Sequence, residues 1–96
     1  MDNNGYDSKK IRKHIIFYGR VQCVGFRYRA SYAADCYGVS GWVRNLYDGS
    51  VEMEAEGSER DIDNMITAIE KSSYVSIEDM CVKEIPVQGT SYFEIK

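Results

Sequence analysis

At 96 residues the chain has room for one domain, and an apolar content of 44% with 12% aromatics supports a modest core. A net charge of −3 argues against a non-specific nucleic-acid binder, and no apolar run is long enough to span a membrane. The opening residues lack a signal-peptide pattern, and Cys23, Cys36 and Cys81 cannot all pair and show no C-x-x-C spacing. The expectation is a cytoplasmic protein with reduced thiols and no metal, nucleic-acid or membrane partner.

In chain order, the polar residues 1–10 are expected to form a flexible tail, and residues 11–96 a single domain. Residues 11–18 read as a strand that becomes apolar on both faces as it enters the core, ending in Ile15-Ile16-Phe17-Tyr18. A glycine-bracketed loop follows, Gly19 to Gly25. Phe26, Ala30, Ala33, Ala34 and Tyr37 then recur at the spacing of one buried helical face, and Gly38 suits a left-handed C-terminal cap. Gly41-Trp42-Val43-Arg44-Asn45-Leu46-Tyr47 and Ser50-Val51-Glu52-Met53-Glu54-Ala55-Glu56 flank Asp48-Gly49, which predicts a hairpin with a type I′ turn. Alternation puts Val51, Met53 and Ala55 inside and Glu52, Glu54 and Glu56 in water. Ser58 with Asp61 resembles a capping box, and Ile62, Met65, Ile66 and Ile69 repeat at helical spacing up to Lys71-Ser72-Ser73. Residues 75–85 predict a strand with an irregularity, stopped near Pro86. Gln88-Gly89-Thr90 turns the chain into a short last strand, Tyr92-Phe93-Glu94-Ile95-Lys96. The order is β-α-β-β-α-β plus a terminal β. Right-handed crossovers then place both helices on one face of a mostly antiparallel sheet, an α+β ferredoxin-like sandwich.

The loop carries the functional signal. A strand, a glycine-bounded turn and a helix N-terminus leave backbone N–H groups free to cradle an anion. Arg27 in the first helical turn opposes the helix macrodipole at a cost of about 0.3–1 kcal/mol, which a bound anion would offset. Charge is distributed to match: the first 29 residues hold seven basic against two acidic side chains, a local surplus of five in an acidic chain. The loop is neither a Walker loop, which needs Gly-Lys-Ser/Thr, nor a dinucleotide fingerprint. A phosphate-like ligand is the reading these residues support.

Two stretches go further. Gly19-Arg20-Val21-Gln22-Cys23-Val24-Gly25-Phe26-Arg27 is close to G-R-V-Q-G-V-x-F-R, and Gly41-Trp42-Val43-Arg44-Asn45-Leu46-Tyr47-Asp48-Gly49-Ser50-Val51 is close to G-[FYW]-V-[RK]-N-x-x-D-G-x-V. With these motifs, the chain resembles the acylphosphatase family from about residue 11 to 96. The resemblance implies hydrolysis of carboxyl-phosphate mixed anhydrides without metal or cofactor. It implies that Arg27 grips the phosphate and that Asn45 orients the attacking water. Arg20, Val21, Gln22, Cys23, Val24, Gly25 and Phe26 would form the substrate-binding loop. Inorganic phosphate or sulfate should compete there, and the protein should be a monomer. One position departs from the family pattern: Cys23 stands where the motif has glycine. If that position needs a left-handed backbone, the side chain costs roughly 1–2 kcal/mol; if it needs close approach to phosphate, Cβ crowds the ligand. Either effect would turn the chain towards a weakened, phosphate-binding relative.

The chemistry fits such a substrate. A carboxylate is a weak base and leaves without a strong general acid, so positioning and charge stabilisation suffice. Asn45 can accept a hydrogen bond from water through Oδ1, and the substrate's own phosphate can take the proton. His14, alone of its kind, reads as a partly buried sheet residue. Three rivals are weaker. A thiol phosphatase needs its cysteine and arginine six positions apart, whereas Cys23 and Arg27 are four apart. An RNA-binding sandwich would want an aromatic-rich sheet signature and a basic surface. A domain detached from a carbamoyl-transfer maturation enzyme would be expected alongside zinc-ligand cysteines.

Overall fold

The computed structural model describes residues 9–96, and residues 1–8 of the proposed tail lie outside them. Seven elements follow in order: β1 (Lys10–Arg20), α1 (Phe26–Tyr37), β2 (Ser40–Asn45), β3 (Val51–Ser58), α2 (Glu59–Glu70), β4 (Ser76–Ile85) and β5 (Phe93–Ile95). Lys10, assigned to the tail from sequence, already pairs with Ser58, and β1 continues through Gly19 and Arg20 rather than stopping at Tyr18. The five strands form one sheet in the order β4-β1-β3-β2-β5. β1 and β3 lie at its centre, paired antiparallel, and β5 alone runs parallel to its neighbour, β2. This is the expected ferredoxin-like α+β sandwich with a short added edge.

Strand alternation sorts the two faces. Ile15, Met53 and Val43 lie in one cross-sheet row and Phe17, Val51 and Asn45 in the next. Every member of these rows except Asn45 is fully buried, packed with Phe26, Ala30, Ala33 and Ala34 of α1 and Ile62, Met65 and Ile69 of α2. Both helices therefore cover this face. Tyr37, expected on the buried stripe of α1, is 37% exposed, although Ala34 one turn before it is fully buried. The caps behave as their residues demand. Gly38 adopts φ 68° and its N–H closes on the Ala34 carbonyl, while Ser58 Oγ accepts from the Asp61 N–H at the start of α2. The irregularity expected in β4 is a register shift against Tyr18 and Gly19. Gly19 is required there: a Cβ would stand 2.3 Å from the Ser76 carbonyl oxygen.

The opposite face corrects the expectation that Glu52, Glu54 and Glu56 all face water. Glu56 is 1% exposed. It accepts from Arg12 Nη1 at 3.0 Å and from the backbone N–H groups of Gln88 and Gly89 at 2.8 and 3.0 Å. The segment between β4 and β5 folds back over this end of the sheet, and Arg12, also 1% exposed, bonds Glu54 and Thr90 as well. Alternation identified the face correctly, but it could not foresee that a distant loop would cover it.

Candidate active site

The far end of the sheet is built differently. β1 delivers the chain to residues 21–25, and α1 starts at once behind them. Two buried side chains bracket the loop: Val21 is 1% exposed, and Phe26 is 2% exposed with its ring 4.9 Å from that of Phe17. The proposed contributions of Val21 and Phe26 to binding are therefore restricted to their backbones. Val24 also packs on the core, leaving Cys23 and Gly25 exposed.

Between these anchors the backbone takes positive φ twice, at Cys23 (62°) and Gly25 (78°), with Val24 between them at negative φ. Such sign alternation turns successive N–H groups towards one concavity. Among the described residues, no backbone N–H from residues 22–28 donates to a backbone carbonyl. Gly25 caps α1 without any side-chain bond, and the first turn carries no acidic residue. A row of unsatisfied donors thus meets the positive end of a helix. Among the described residues, Arg27, the second residue of that helix, has no ion pair or side-chain hydrogen bond, and neither does Arg20 or Arg29. Cys23 is the one non-glycine residue with positive φ among those described. The left-handed backbone, one of the two costs foreseen for it, is present.

Asn45 sits at the last position of β2, opposite Val51. It belongs to the helix-covered face by alternation but lies beyond the helical cover, so its side chain is exposed. It therefore shares with Arg27 both the face of the sheet and its end. Arg44, one residue earlier, points to the other face, where its Nε bonds Glu52 at 2.6 Å and its guanidinium lies over Trp42. Asn45 opens, with Gln22, Arg44, Leu46 and Tyr47, on a concavity of about 630 Å³.

The hairpin beyond Asn45 is not the expected type I′ turn. Leu46 N–H donates to the Ser50 carbonyl and Gly49 N–H to the Leu46 carbonyl, with positive φ at Gly49 (91°) and not at Asp48. This is a three-residue loop with a left-handed glycine in its last position. Asp48 braces it by accepting from both the backbone N–H and the hydroxyl of Ser50. Gln22 reaches across from the first loop, and its Nε2 donates to the carbonyls of Leu46 (2.7 Å) and Ser50 (2.8 Å). Sequence reasoning placed Gln22 in the loop but saw neither this bridge nor the brace. The Asp-Gly-Ser run is an Asx-turn signal that would have revealed the brace.

The carboxyl groups at this end of the hairpin are weak proton acceptors. The side-chain and backbone bonds from Ser50 hold the Asp48 carboxyl below its ordinary range, so it stays ionised. Glu52 is also held low: burial works against its charge, but bonds from His14 and Arg44 outweigh it. His14 and Glu52 lie on the face away from Asn45, joined at 2.7 Å. Among the described residues, no three His, Cys, Asp or Glu side chains converge as metal ligands would, and all three cysteines are free and exposed.

A family model described as Acylphosphatase matches residues 13–95. An acylphosphatase of Trichormus variabilis is 37% identical over 97 residues, covering 100% of this chain and 96% of its own length. The crystal structure of an acylphosphatase from Bacillus subtilis superposes with a TM-score of 0.82 at 38% identity, covering 90% of this chain and 98% of that one. HypF from T. kodakarensis also matches, with a TM-score of 0.76 at 36% identity, but over 12% of its length and 88% of this chain.

Proposed function

The chain belongs to the acylphosphatase family and hydrolyses the carboxyl-phosphate bond of acyl phosphates, and we propose that Arg27 and Asn45 carry out that reaction. In this reading the phosphoryl group enters the loop, where its oxygens accept from the free N–H groups of residues 22–28 and from the Arg27 guanidinium. A planar guanidinium grips two oxygens at once and resists deprotonation. The loop N–H groups are turned to one side by the backbone itself, so they need little reorganisation as charge shifts in the transition state.

Asn45 Oδ1 accepts a hydrogen bond from a water molecule and aims its lone pair at phosphorus, opposite the carboxylate. The water oxygen forms the new P–O bond, the P–O bond to the acyl group breaks, and the electron pair leaves with the carboxylate. An amide is no base at neutral pH, and the ionised Asp48 is committed to Ser50. The proton of the attacking water therefore passes to a phosphate oxygen of the substrate. No metal is required by this scheme. The protein acts as a cytoplasmic monomer, with inorganic phosphate or sulfate as competing anions.

The observation that supports this most is Arg27 itself: a cation without a counter-ion among the described residues, on a helix start whose amides find no acceptor among them. The test is hydrolysis of benzoyl phosphate in the presence of a chelator. Asn45→Ala should lower kcat by about 10²- to 10³-fold, comparable to removing a positioned polar group from an oxyanion site, with little change in the inhibition constant of inorganic phosphate. Wild-type kcat for Asn45→Ala, or activity abolished by the chelator, would overturn the assignment.

A further inference from the structure

Gln22 lies in the loop proposed to hold the phosphate, yet both protons of its side-chain amide point elsewhere. They go to the carbonyls of Leu46 and Ser50, the two residues that close the hairpin after Asn45. Two carbonyls can be faced only by the NH₂ end of the amide, so its orientation follows from the chemistry of the acceptors. Each carbonyl also serves the hairpin's own backbone: Ser50 O accepts from Leu46 N–H and Leu46 O from Gly49 N–H. One side chain is thereby fastened to both strands of the turn at once. Ser50 is 2% exposed and tied to Asp48, so the receiving end of the bridge is fixed.

Among the described residues, no backbone hydrogen bond joins the loop to the hairpin. β1 and β2 are not neighbours in the sheet, because β3 runs between them. The loop after β1 and the turn after β2 therefore meet beyond the end of β3, where no backbone ladder joins them. Leu46 follows Asn45 directly, so a shift of the Leu46 carbonyl moves the Asn45 backbone with it.

We propose that Gln22 is a positioning residue for hydrolysis, setting the distance and angle between the phosphate seat and the water held by Asn45. This inference rests on the assignment of Asn45 above. Hydrolysis by in-line attack is sensitive to such placement, since an error of about 1 Å can cost on the order of 100-fold. Phosphate affinity depends instead on Arg27 and the loop amides, which Gln22 does not touch through its side chain.

The experiment is a double-mutant cycle with benzoyl phosphate, using Gln22→Met to remove both donors at similar length, together with Asn45→Ala and the pair. Gln22→Met should lower kcat on the order of 10- to 100-fold while the inhibition constant of inorganic phosphate moves by less than about threefold. In the Asn45→Ala background the same change should have almost no further effect, because the group it positions is gone. Full multiplication of the two losses, or a weakened phosphate constant with kcat intact, would overturn the role. If Asn45→Ala alone retains wild-type kcat, it is the assignment of Asn45 that fails, so the two failures are distinguishable. A measurement on the wild-type protein guards against a misfolded variant. Scalar couplings across hydrogen bonds should link the Gln22 side-chain nitrogen to the Leu46 and Ser50 carbonyl carbons, and a freely exchanging, uncoupled amide would overturn the bridge.

Discussion

Two arginines at opposite ends of one sheet show how position divides structure from chemistry. Arg12 is buried and saturated, with Glu54, Glu56 and Thr90 around its guanidinium and its charge matched by carboxylates. Arg27 is partly exposed and has no partner among the described residues, beside a helix start with no acidic residue in its first turn. A buried cation must be paired, since removing its partner leaves a desolvated charge. A cation left unpaired against a helix dipole is tolerated only at a small cost, and it is available to a ligand. An arginine saturated by carboxylates is committed to the fold, whereas one left without partners beside a helix start stays available to an anion.

Replacing each arginine separately tests that contrast most severely. Arg27→Ala should lower benzoyl phosphate turnover by roughly 10³-fold or more, in the range seen when a phosphate-clamping arginine is lost. Its melting temperature should stay level or rise slightly, because an unfavourable dipole interaction disappears. Arg12→Ala should do the reverse. Glu56 would keep its two backbone donors but lose its counter-ion, costing about 3 kcal/mol and, for a domain of this size, roughly 15 °C in melting temperature. Turnover by the folded fraction at low temperature should hardly change. A large stability loss in Arg27→Ala, or a rate loss in folded Arg12→Ala, would dissolve the distinction.

The acid limb of stability gives a milder test. Burial opposes the charge on Glu56, but the Gln88 N–H, Arg12 and the Gly89 N–H more than offset it and lower its pKa in the folded protein. A group whose folded pKa is depressed stabilises the fold above its unfolded pKa, near 4.5, and that contribution is lost as pH falls through the lower, folded value. Denaturation midpoints should therefore fall as the pH drops below about 4.5, with a smaller slope in Glu56→Gln. An identical slope in both proteins would show that Glu56 does not carry the effect. The smallest expected change is at Cys23. Glycine there removes the left-handed penalty of roughly 1–2 kcal/mol but adds freedom to the unfolded chain, for a net gain of about 0.5–1 kcal/mol. Equilibrium urea unfolding would detect it, and a loss of stability in Cys23→Gly would mean the cysteine makes compensating contacts.

Much of this was legible in the residues alone. Alternation along β3, the spacing of Ile62, Met65 and Ile69, the Gly38 and Ser58 caps and the order of elements all follow from short-range rules, and each reappears in the fold. The loop was also readable, because Gly25 before Phe26 and Arg27 announces a helix start with a cation in its first turn, and a left-handed backbone is one of the two demands a glycine position makes on Cys23. Other features came into being when distant segments met. The burial of Glu56 depends on Gln88 and Gly89 folding back across more than thirty residues, and the Gln22 bridge on two loops that no strand ladder joins. Local patterns encode which face and which turn a residue occupies, because backbone geometry repeats over a few positions. Which partner then arrives to satisfy a carboxylate or an amide depends on the packing of the whole chain.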